Sequence, residues 1–93
     1  MHILVTHYKI KPEAIDQATA QLPDLRSQIM ALPGVQHCIN SLNADGTGCL
    51  VAIVESRGIA EANHSAFEAI WDQLNDLFLD EPEANGYDVM PDD

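Results

Sequence analysis

Positive charge is scarce in this chain: four Lys and Arg stand against fifteen Asp and Glu, a formal net charge of -11. Such a surface repels phosphate backbones and anionic lipid headgroups alike, so neither nucleic acid nor a membrane is an expected partner. Long apolar runs are missing too. The longest, Cys49 to Val54, falls far short of the roughly 20 residues that cross a bilayer. The opening MHILVTHYKI has neither the basic segment nor the small-residue cleavage site of a secretory signal, and a cytoplasmic location is the expectation.

Motifs for metals, nucleotides and serine nucleophiles are equally absent. His2, His7, His37 and His64 form no pair at helical ligand spacing, and there is no C-x-x-C or H-E-x-x-H, so no metal is expected. Neither G-x-G-x-x-G nor a P-loop occurs, which leaves no expected cofactor. Ser65 lacks the G-x-S-x-G setting of a nucleophile.

What is present is a chain of 93 residues, 46% of them apolar, without repeats or low-complexity runs. That describes one folded domain over 1–93. A core of this size buries only somewhat more than about 60% of the unfolded surface, so help from a partner surface is expected.

HILVTHYKI (2–10) is rich in β-branched and aromatic residues and predicts the first strand, ended by Lys11-Pro12. From Pro12 onward Ile15, Ala18, Leu22, Leu25, Ile29 and Leu32 recur on one helical stripe until Pro33-Gly34. Pro23 lies inside that stripe and predicts a kink, or a restart at Asp24.

VQHCINSL (35–42) and CLVAIVES (49–56) flank NADGTG, where Asp45-Gly46 predicts a two-residue type I′ hairpin turn. In that register Leu42 faces Cys49 and Cys38 faces Ile53, so both thiols are expected free and mostly buried. The later strand is apolar on both faces and is expected to be central and covered on both sides.

A second helical region follows Arg57-Gly58: a short turn near 59–63 and a main helix from about 66, with Ser65 and Glu68 as an S-x-x-E capping box. Its core stripe is Phe67, Ile70, Leu74 and Leu77, with Asp72, Asp76, Asp80 and Glu81 on a solvated face. YDVM (87–90) is expected as an edge strand before the acidic end PDD.

The order strand, helix, strand, strand, helix, strand is that of the α+β, ferredoxin-like βαββαβ plan: a four-stranded antiparallel sheet with both helices on one face and the first and third strands in the middle. The opposite face of Cys49 to Val54 then lacks cover. A homodimer joined sheet to sheet is the economical way to supply it.

At this point the chain resembles the dimeric α/β-barrel proteins, and among them the antibiotic-biosynthesis-monooxygenase-like family of small domains. The resemblance rests on YKIKPEA, LPGV, AIVES, and EANH followed by an apolar helix, in that order. It implies a ligand pocket between sheet and helices and, for some members, oxidation of aromatic or polyketide-like molecules by oxygen without metal or flavin. Glu55, Glu61-Ala62 and His64 match the family pattern, while Arg57 stands where it has an aromatic residue.

His64 and Trp71, the only tryptophan, lie seven positions apart and so share one helical face, separated by about 10 Å along the axis. One reading makes His64 a catalytic base, since imidazole titrates near neutral pH, with Trp71, Tyr8, His7 and Phe67 shaping a site for a small apolar or aromatic ligand. The other makes Trp71 core packing and His64 a half-exposed residue at a helix entrance, in a dimer that binds or builds without turnover. Alternation puts His7 and Tyr8 on opposite faces of their strand and leaves open which one meets the helices.

Overall fold

The computed structural model describes residues 1–90; the acidic PDD end lies outside the described residues. Four strands, β1 (His2–Lys9), β2 (Val35–Leu42), β3 (Thr47–Val54) and β4 (Glu83–Asp88), form one sheet in the order β2-β3-β1-β4. All neighbours are antiparallel. Helices α1 (Ile15–Met30), α2 (Arg57–Ala62) and α3 (His64–Asp72) complete the fold, with 3-10 turns at Pro12–Ala14 and Asn75–Leu77. This is the ferredoxin-like α+β plan with β1 and β3 central.

The core lies between sheet and helices. Tyr8, Leu50, Ala52 and Cys38 from the strands meet Ala18, Leu22, Leu25 and Ile29 of α1 and Phe67, Ile70 and Trp71 of α3. The α1 stripe therefore packs as its spacing predicts. No restart occurs at Asp24, because α1 runs unbroken through Pro23. Leu22 and Leu25 are buried on either side of the proline, while Pro23 and Thr19, the residue that loses a backbone donor, lie exposed where water can serve the carbonyl.

The hairpin turn differs from the expected type I′. Gly46 N–H donates to Asn43 O at 3.0 Å, and Gly46 alone has positive φ, +93°. Asp45 keeps negative φ while its carboxylate accepts from Thr47 N–H and Oγ1. The result is a three-residue loop with glycine last, as in a G1 bulge. Register moves by one residue: Leu42 pairs with Gly48, and Cys38 pairs with Ala52 rather than Ile53. Both thiols are free, Cys38 buried and Cys49 half-buried on the opposite face.

The capping box is also corrected. Ser56 is the cap that is made, accepting from Ile59 N–H at the start of α2, whereas α3 begins at His64 and leaves Ser65 inside its first turn. Buried Asn63 joins the two helices and donates from Nδ2 to Pro33 O at 2.8 Å. α3 ends at Asp72, before Leu74 and Leu77 enter the core from the following turns. β4 starts at Glu83, earlier than the expected 87–90, and every one of its residues is exposed.

Candidate functional site

The period-two alternation of β1 turns His2, Leu4, Thr6 and Tyr8 toward the helices and Ile3, Val5, His7 and Lys9 away from them. Leu4 and Thr6 line a cavity of about 360 Å³ between the sheet and α3. Its apolar wall comes from Phe67 and Trp71 of α3 and from Phe78, with Ala84 of β4 closing the far side. His64, Glu68, Asp72 and Glu81, all exposed, stand on its rim.

Trp71 is only 8% exposed and belongs to an aromatic trio with Tyr8 at 5.4 Å and Phe78 at 5.7 Å between ring centroids, distances of favourable tilted packing. Its Nε1–H is buried with no acceptor among the described residues.

Tyr8 stands one aromatic layer behind, outside the cavity lining. Its ring lies over Gly48, where any Cβ would collide with it, and its hydroxyl donates to Asn40 Oδ1 at 2.6 Å. Burial, and secondarily the charge of Cys49, pushes its phenol up to about 12, against the lowering effect of the Asn40 bond. Tyr8 is thus a neutral hydrogen-bonded prop for Trp71.

His64 reaches the rim with its side chain 71% exposed, and Nε2 lies 3.1 Å from Glu68 Oε1 one helical turn on. His7 occupies the other sheet face, opposite Cys49, and does not join this group. The structure therefore brings His64, Phe67 and Trp71 to one cavity, supports them with Tyr8, and leaves His7 outside. Among the described residues no three His, Cys, Asp or Glu side chains are placed to hold a metal.

Sequence reasoning missed the opposite end of the same groove. Leu4, Ala60 and His64 line both the cavity and an adjoining cleft that continues to His2, Arg57 and Gly86. His2 is 6% exposed, and its Nδ1 lies 2.8 Å from Asp88 Oδ1; Asp88 in turn pairs with Arg57. The His2 bond, aided by the positive charge of Arg57, holds the Asp88 carboxyl below its ordinary range. Alternation along β1 was the available signal, since it puts His2 on the face of Tyr8.

The fold and pocket define a class: small ferredoxin-like domains with a ligand-sized cavity between sheet and helices. No protein-family model matches the chain and no curated protein matches it, but solved structures do. One is an antibiotic biosynthesis monooxygenase, with TM-score 0.81 and 17% identity over 98% of this chain and 100% of that one. Rv0793 from Mycobacterium tuberculosis gives 0.79 and 14% over 98% and 96%. SnoaB from Streptomyces nogalater, a cofactor-independent oxygenase, gives 0.72 and 11% over 98% and 94%. At these identities the likeness establishes the fold.

Proposed function

We propose that the cavity receives a small, planar, largely apolar molecule and that the chain acts on it as a cofactor-independent monooxygenase. The observation that carries this reading is the aromatic-walled cavity itself, a stacking surface for a planar ligand with the polar side chains of His64, Glu68, Asp72 and Glu81 on its rim. Similarity to SnoaB supports the reaction class. A CH2 group made acidic by neighbouring rings or carbonyls loses a proton to a base, with His64 the rim candidate. The resulting anion reacts with dioxygen, one oxygen atom entering the product as C=O and the other leaving in water; the electrons come from the substrate itself.

A second reading, binding without turnover, is favoured by the exposure of His64 and the packing of Trp71 into the core. Trp71 is the only tryptophan, so its fluorescence reports the cavity alone. A panel of planar phenols, naphthols and hydroxyquinones should contain members that quench it and raise Tm by mass action, and bound members incubated in air should gain one oxygen by mass spectrometry. Quenching without oxidation leaves the binding module; no quenching by any member defeats both.

The functional unit in this reading is a homodimer. The sheet face away from the helices carries half-buried Ile3, Val5, Val51 and Ile53, with Ile39 and Tyr87 each 54% exposed beside them. A second copy laid on this face removes that apolar surface from water in both chains.

A further inference from the structure

The His2 end of the groove is built differently from the His64 rim. His64 is largely exposed and its Nε2 is engaged by Glu68. The His2 side chain is 7% exposed, and a carboxylate faces its Nδ1. A carboxylate only accepts, so Nδ1 carries a proton, and in the neutral ring the Nε2 lone pair is then free to take another. Asp88 is itself fixed by Arg57, so the ring orientation is set from two sides.

Gly86 is part of the same arrangement. A Cβ at that position would stand 2.7 Å from His2 Nε2, so any other residue would push the ring from its place, and both residues line the cleft. Among the described residues no hydrogen bond engages Nε2, whereas Nδ1 is bound to Asp88. The cleft meets the Trp71 cavity along Leu4, Ala60 and His64, so one ligand can lie across both.

We infer that His2, positioned by Asp88 and Arg57, is the proton acceptor of this groove, taking a proton through Nε2 from an acidic O–H or C–H of a ligand seated against Trp71. This rests on the ligand reading of the cavity. In the step the ligand's O–H or C–H bond breaks, its electron pair stays on the ligand, and an Nε2–H bond forms. The imidazolium so produced lies against the Asp88 carboxylate. The charged and titratable groups around it are Asp88 of β4, Arg57 and Glu61 of α2, and His64 of α3.

The test uses the ¹⁵N-labelled full chain with 2-naphthol as probe. The His2 imidazole signals, identified by their loss in His2→Gln, should show the proton on Nδ1 near pH 8, and saturating 2-naphthol should move the Nε2 resonance. Bound naphthol, followed by the absorbance of its anion, should ionise at an about tenfold higher proton concentration on the unaltered chain than on His2→Gln, the size expected of a nearby opposite charge. His37→Gln, on β2 and outside both the cavity and the cleft, should match the unaltered chain.

Asp88→Asn, which keeps shape and removes the charge, should move the ionisation the same way as His2→Gln and gives the comparison without relying on that variant's folding. Trp71 quenching by naphthol with an unmoved His2 Nε2, a ring proton found on Nε2, or equal ionisation in all variants would overturn the assignment while leaving the ligand reading intact. Absence of quenching by naphthol and by every other member of the panel overturns the ligand reading, and the assignment with it.

Discussion

Raising the pH should remove a definite part of the stability through Tyr8. The phenol is 5% exposed, and its burial lifts the folded-state value from 10.0 to about 12. A group whose folded value is raised contributes stability that is fully present below the unfolded value and lost as pH climbs through the folded one. The window is therefore pH 10 to 12, and at about 1.4 kcal/mol per pH unit the loss is about 3 kcal/mol. Urea melts of the Tyr87→Phe chain at intervals from pH 9 to 12 measure it, and tyrosinate absorbance then reports Tyr8 alone.

Tyr8→Phe in the same background supplies the control. It loses the hydroxyl bond to Asn40, about 1 kcal/mol at neutral pH, but its stability should be about 3 kcal/mol less sensitive to pH across the window. Parallel curves for the two chains, or tyrosinate appearing near pH 10 while the protein is still folded, would refute the claim that the phenol is held neutral in a dry core.

Ser56→Ala should cost about 1 kcal/mol in urea because it removes the cap of α2, whereas Ser65→Ala inside α3 should change stability by less than about 0.5 kcal/mol. Equal effects would mean that the cap has been misassigned. Val51→Asp, a charge in the middle of the uncovered sheet face, should halve the mass seen by light scattering without altering the far-ultraviolet circular dichroism; an unaltered chain that is already monomeric at micromolar concentration would end the dimer proposal.

Long periodic segments were legible in the sequence. β1, α1 and β3 each repeat one pattern over many residues, and they alone imply the layer order that creates the cavity. Chemistry-bearing details were less legible because they turn on choices between near-equal local signals. Asp45-Gly46 reads as a type I′ pair until Asp45 spends its carboxylate on Thr47 and keeps negative φ, leaving Gly46 alone in the left-handed region. Ser65 reads as the cap from its S-x-x-E spacing, whereas the cap is made by Ser56, just after the end of β3.

EANGYD, poor in strand formers, becomes β4 only because β1 offers it an edge. That last miss hid His2, whose partners Asp88 and Gly86 both lie on the strand whose start was misplaced. His64 and Trp71 were found at their shared cavity because both sit on one helix, where spacing is informative. His2 and Asp88 are joined only by sheet pairing.

The strand order also sets a sequence of events. β1 occupies the middle of the sheet, yet its partners come much later along the chain, from Lys9↔Thr47 and His2↔Val54 on one side to His2↔Asp88 on the other. The β2–β3 hairpin, closed by Gly46, is the local piece that can assemble first. During synthesis β1 thus stays unpaired until β3 and then β4 follow, and the β2–β3 hairpin, which Gly46 lets close locally, supplies the edge that receives it first.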